Sequence, residues 1–182
     1  AAALIPLAAL RAWRGARAIG CSEAVTRGIV EELCQAAGGG GMVGGQALDL
    51  RAEGADLSAP ELDRLHGLKT GALLTASLRI GALAAGPPKS VLEALDTYGR
   101  SVGLAFQIAD DVLDATATAA DLGKNPSDAQ HDKNTYVSVH GIEAAATRAR
   151  EEVARARAAL DRAGVDAPAL HALAEYVVER RR

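Results

Sequence analysis

The stretch Phe106-Gln107-Ile108-Ala109-Asp110-Asp111-Val112-Leu113-Asp114 sets three carboxylates among residues apolar enough for a protein core. On a helix, Asp110 and Asp114 are four apart, Asp111 and Asp114 three apart, and Gln107 lies one turn earlier. That spacing predicts that all four share one face. Three anions within one turn repel each other, and a helix macrodipole disfavours them near its C-terminal end. A hard divalent cation resolves both problems. Mg2+ takes carboxylate oxygens and keeps its other positions for water or phosphate oxygens. The alternative is a solvated helix end bearing three ordinary Asp, but Asp is a mediocre helix former and gains nothing there.

Three further segments carry chemically suggestive residues. Downstream lies Leu122-Gly123-Lys124-Asn125-Pro126-Ser127-Asp128, followed by Asp132-Lys133-Asn134-Thr135-Tyr136. A lysine-bearing loop after a carboxylate cluster suits metal-bound phosphate, with cations bridging Asp to phosphate and Lys adding direct charge. The chain holds sixteen Arg but only four Lys, and two of the four, Lys124 and Lys133, fall in this loop. Upstream, Lys69-Thr70-Gly71 interrupts an apolar run, where a lysine either finds a partner or snorkels. Gly40-Gly41-Met42-Val43-Gly44-Gly45-Gln46-Ala47-Leu48-Asp49 places glycines four apart. That makes a smooth helix face for close approach or leaves room for a ligand, with Gln46 and Asp49 beside it; a plain linker is the alternative. His66, His131, His140 and His171 show no metal-ligand spacing and read as structural or surface residues.

The elements that must position these groups are helical. No segment shows strand alternation, and Ala, Leu and Val dominate the 182 residues, with only five aromatics. Apolar periodicity predicts helices over about 2–19, 23–37 with Ser22 as N-cap, and 42–53. A further helix over 58–85 starts at a Ser58/Glu61 capping box with Pro60 in its first turn. Gly86-Pro87-Pro88 ends it. Helices at 89–115, 135–140, 142–163 and 167–180 follow, with 116–134 a loop. The stretch Arg148 to Arg162 reads as a solvated face with Glu partners, and Arg180-Arg181-Arg182 as a frayed end. This is an all-α helical bundle forming a single domain, 1–182. The net charge of -3 gives no reason to expect a nucleic-acid partner. No apolar run is long enough for a membrane span, and no signal peptide is evident, so a cytoplasmic location is expected. Cys21 and Cys34 fit no zinc or redox motif and read as reduced thiols.

Taken in order, Gly-Gly-Gln-x-x-Asp, Lys-Thr-Gly, Phe-Gln-x-x-Asp-Asp-x-x-Asp, Gly-Lys-x-x-x-Asp and Lys-x-Thr-Tyr resemble the trans-isoprenyl diphosphate synthases of the farnesyl and geranylgeranyl type. The motifs run from about Gly38 to Gly141. The resemblance implies an isoprenoid synthase-like bundle around a central cavity, usually a homodimer. It also implies Mg2+-assisted ionisation of an allylic diphosphate, followed by head-to-tail attack of isopentenyl diphosphate on the allylic carbocation. Carried over by position, Asp110, Asp111 and Asp114 would bind Mg2+, with Asp128 supporting that shell and Asp49 helping to hold metal from the opposite side. Lys69, Lys124 and Lys133 would contact diphosphate. Thr70 and Gln107 would stand near the carbocation, and Phe106 would shape the isopentenyl pocket. Lys69, Thr70, Gln107 and Asp110 are the expected catalytic residues.

One family feature is missing. The first Asp-rich motif, which faces the second across the cavity, has no counterpart, since no Asp precedes Gly38. The expectation is a bundle incomplete at its N-terminus, the C-terminal larger part of such an enzyme, with little turnover as an isolated chain. A non-catalytic partner subunit is the competing reading. A class I terpene cyclase is a weaker one, because its Asn/Asp, Ser/Thr, Glu metal motif and its aromatic richness are both lacking.

Overall fold

The computed structural model describes residues 3–116 and 135–180. Every described element is a helix. The first two, α1 (Leu4–Ala18) and α2 (Glu23–Ala37), form an antiparallel hairpin. Gly20 turns the chain at φ +80°, and the Ser22 hydroxyl accepts from the Val25 N–H at 3.3 Å, satisfying a backbone donor that has no partner within the helix. Helix α3 (Met42–Arg51) follows the glycine run, and α4 (Ala59–His66) opens on the expected capping box. There the Ser58 N–H donates to Glu61 Oε2 at 2.9 Å.

The expected helix over 58–85 contains an irregularity that apolar spacing did not show. Between α4 and α5 (Ala72–Ala85), residues Gly67–Gly71 form a π-helical turn. Such a turn accommodates one extra residue and commonly sits at functional sites. The smooth glycine face of α3 is used for close approach to it. A Cβ on Gly45 would lie 2.3 Å from the Lys69 nitrogen, so α3 and the π turn touch backbone to backbone. On the other side, a Cβ on Gly103 would lie 2.7 Å from the Gly71 Cα. Glycines at two positions thus let α3 and α6 grip the turn that carries Lys69 and Thr70.

Helix α6 (Lys89–Thr116) is the axis of the bundle, 28 residues and about 42 Å long. Short α7 (Tyr136–His140) packs near its C-terminal end, and α8 (Ile142–Arg162) runs along it. Helix α9 (Pro168–Glu179) closes against both. One apolar cluster joins Tyr98, Val102 and Ala105 of α6 to Val153, Ala156 and Leu160 of α8 and to Ala174 and Val177 of α9. A second joins Ile108 to Leu62, Tyr136, Ala145 and Ala149. The many buried alanines bring the helix axes close, which accounts for a core with so few aromatics. The Tyr98 hydroxyl donates to the Leu170 carbonyl at 2.6 Å and ties α9 to α6. The Arg-rich face of α8 does carry Glu partners, but one of them, Glu152, is buried between Arg148 at 2.9 Å and Arg155 at 3.5 Å. No described helix is long and apolar enough to cross a membrane.

Candidate active site

Asp49, His66, Lys69, Gln107, Asp110 and Asp111 line one cleft of about 180 Å³. Three elements supply them: α3 gives Asp49, the turn of α4 into the π segment gives His66 and Lys69, and α6 gives the other three. Two larger clefts exist, of about 930 Å³ on α1 and α2 and about 500 Å³ between α2, α4, α5 and α6. Neither contains any residue singled out from the sequence as a site residue, so size is a poor guide to the chemistry here.

Asp49, Asp110 and Asp111 each accept from a donor within the protein. Lys69 Nζ reaches across from the π turn and donates to Asp49 Oδ2 at 2.5 Å. Lys69 therefore has the partner that its apolar neighbours require. Asp111 Oδ2 accepts the Tyr136 N–H at 2.8 Å, which fastens the start of α7 to α6. Asp110 accepts from Arg180, whose guanidinium also stands 4.1 Å from the centre of the Phe106 ring. Burial pushes the Asp110 carboxyl above its ordinary value; Arg180 opposes that push and Asp114 adds to it.

Beneath the carboxylates lies His66, buried and stacked on Tyr136 with 5.7 Å between ring centres. Burial pushes its pKa down to about 4, Lys69 adding to the fall while Gln107 and Asp49 resist it. The imidazole is neutral at physiological pH. Gln107 influences the ring, yet neither ring nitrogen completes a well-formed hydrogen bond.

The expected set is thus partly assembled. Asp49, Lys69, Gln107, Asp110 and Asp111 converge on the cleft. Thr70 is half-buried in the π turn and Phe106 half-buried under Arg180, both outside the lining. Asp114 is exposed one turn beyond. Lys124, Asp128 and Lys133, all expected in one loop, lie outside the described residues. Among the described residues no three carboxylate, His or Cys groups converge tightly enough to hold a metal ion. The donor chemistry nevertheless suits Mg2+: carboxylate oxygens on two sides of one cleft, now satisfied by ammonium, guanidinium and N–H groups. Arg180 corrects an expectation. It is not frayed but only 13% exposed at its side chain, bound to α6. No spacing within α9 could have shown this, because its partner is seventy residues away.

The model of the family described as polyprenyl synthetase matches residues 20–170. Farnesyl diphosphate synthase of Escherichia coli is 44% identical, over 85% of this chain and 53% of that protein. The solved geranylgeranyl pyrophosphate synthetase of Pyrococcus horikoshii superposes with a TM-score of 0.76 at 28% identity, over 87% of this chain and 60% of that one. A geranyltransferase of Helicobacter pylori, solved in complex with magnesium and isoprenyl diphosphate, gives 0.71 at 29% identity, over 87% of this chain and 52% of that one. The chain spans about half the length of the curated relatives it matches.

Proposed function

The chain belongs to the polyprenyl synthetase family, and on that premise we propose that its protein condenses isopentenyl diphosphate with an allylic diphosphate to make a longer isoprenyl diphosphate. The observation that carries this reading is the convergence of Asp49, Lys69, Gln107, Asp110 and Asp111, from three elements, on one cleft. Mg2+ held there would act as a Lewis acid on the departing diphosphate. The chain's own residues do the rest. Asp110 and Asp111, with Asp114 a turn further, offer oxygens on the α6 side, and Asp49 offers one on the α3 side. Lys69 is held at the cleft by its bond to Asp49 and can turn its ammonium onto diphosphate. Lys124, Lys133 and Asp128 would add to the diphosphate and metal shell. Thr70 and the Gln107 amide would place oxygens near the allylic carbon as positive charge develops, and Phe106 would close the isopentenyl side. The neutral His66 adds no positive charge beneath them.

Homodimerisation fits the exposed apolar residues Leu7, Leu10 and Trp13 of α1, a helix that packs chiefly against α2. A cytoplasmic location is part of the same reading. The test is a product assay on the protein at its full natural length, with isopentenyl diphosphate, allylic diphosphates of two lengths, and Mg2+. The expected outcome is a chain-lengthened diphosphate that EDTA abolishes. Asp110→Asn should lower kcat by at least about a hundredfold, as expected when a pre-positioned electrostatic group is removed. Unchanged turnover in that variant refutes the assignment.

A further inference from the structure

Arg180 holds Asp110 in an unusual manner. Its guanidinium is nearly buried, with the Phe106 ring on one side and Nη2 directed to both Asp110 Oδ1 and the Phe106 carbonyl, the latter at 3.5 Å. Its Nε is buried with no hydrogen-bond partner. Arginine presents five N–H donors in a fixed fork, and a permanent structural arginine usually has that fork filled. Here one strong contact and a ring face secure it, and a buried donor is left over. The cation at Asp110 is therefore well placed but incompletely held. The rest of α9 is independently anchored, through Ala174 and Val177 in the core and the Tyr98 bond to Leu170. Only the last turn would have to yield for Arg180 to leave. The Arg180 N–H is bonded to the Tyr176 carbonyl at 3.0 Å and reports on that turn.

We propose that Arg180 is a displaceable counter-ion, which occupies Asp110 until a divalent cation takes the carboxylate, so that metal binding and docking of the last turn of α9 exclude each other. A guanidinium and a divalent cation cannot share one carboxylate oxygen, because their mutual repulsion in a half-buried cleft is only weakly screened. Arg180 keeps Asp110 compensated while no metal is bound. It also makes the C-terminal end of α9 responsive to metal occupancy. The inference rests on the reading of Asp110 as a metal ligand, and the experiment separates the two.

Mn2+ alone is titrated into the protein, with free Mn2+ followed by electron paramagnetic resonance, for wild type, Arg180→Gln, Arg180→Lys and Asp110→Asn. Arg180→Gln should bind about tenfold more tightly, equivalent to ~1.4 kcal/mol, with Arg180→Lys in between. In wild type, saturating Mg2+ should speed hydrogen exchange at the Arg180 amide and leave that of Val177 unchanged. Binding that Asp110→Asn abolishes but that Arg180→Gln leaves within twofold of wild type overturns the counter-ion and spares the metal reading. Binding that Asp110→Asn does not weaken, or its absence from all four proteins, overturns both. Should Arg180→Gln fail to fold by circular dichroism, Arg180→Lys and the wild-type exchange measurement decide: no tightening and no change in exchange refute the proposal.

Discussion

The contact between α3 and the π turn can be tested with a single methyl group. A Cβ on Gly45 would lie 2.3 Å from the Lys69 nitrogen, 2.6 Å from its Cα and 2.8 Å from the Leu68 carbonyl carbon. Comfortable non-bonded contact begins near ~3.5 Å, so the two backbones would have to part by about 1 Å. All three neighbours are backbone atoms of a helical turn that α6 grips from behind, so no side chain can swing aside. That places Gly45→Ala at the upper end of the overpacking range, about 3 kcal/mol. Alanine recovers about 1 kcal/mol of helix propensity, which leaves a net loss of about 2 kcal/mol. With a urea m-value of about 2 kcal/mol/M, the unfolding midpoint should fall by about 1 M. Gly40→Ala is the control. Its Cβ meets nothing within 4 Å, and stability should stay within about 0.5 kcal/mol of wild type. The displaced α3 carries Asp49, so Gly45→Ala should also lengthen the Asp49–Lys69 bond, visible as altered Lys69 side-chain NMR shifts. Equal midpoints for Gly45→Ala and Gly40→Ala would refute the argument, because the close approach would then carry no energy.

Protonation of His66 provides a second test. The unfolded imidazole, near pH 6.5, takes up a proton that the folded one refuses until about pH 4, so stability falls as pH drops through that window, by about 3 kcal/mol in all. His66→Phe keeps a ring against Tyr136 and should flatten that slope in urea titrations at pH 7, 5.5 and 4; parallel slopes for the two proteins would contradict the assignment. Tyr98→Phe removes the donor to the Leu170 carbonyl and should cost about 1–2 kcal/mol, with faster hydrogen exchange in α9 than in α8. Uniform loosening of both helices would mean that the bond does not anchor α9.

Much of this molecule follows from local signals. Ser22 and Ser58 begin their helices as N-caps because their side chains can satisfy the first free N–H groups, a preference readable within four residues. Gly86 and Gly164 end theirs at positive φ, where a side chain would be strained. The lysine at 69 was legible as a group needing a partner, and Asp49 as an isolated carboxylate beside a smooth face. Their pairing follows from α3 and the π turn meeting at Gly45. The shared face of Gln107, Asp110 and Asp111 was legible too, since one helix fixes it. Their partners were not. Asp110 turns to Arg180 and Asp111 to the start of α7, and these choices are made by packing between segments far apart in sequence. The π turn at Gly67–Gly71 has no signature in the sequence for a different reason. Its apolar neighbours satisfy an ordinary helical pattern on either side, and one additional residue in a turn leaves no mark on composition.

That additional residue acts as a phase shifter. A regular helix advances by roughly 100° per residue, so the surfaces of α4 and α5 obey two separate clocks offset by about that angle. Leu62 keeps time with one core, and Ala82 with another. Deleting one residue from Gly67–Gly71 would leave a perfectly good helix. It would also set the two clocks to the same hour, and Lys69 could no longer face Asp49 while Ala82 faced the core. The turn lets a single rod of sequence serve two differently oriented neighbours, and the cleft stands where the two orientations meet.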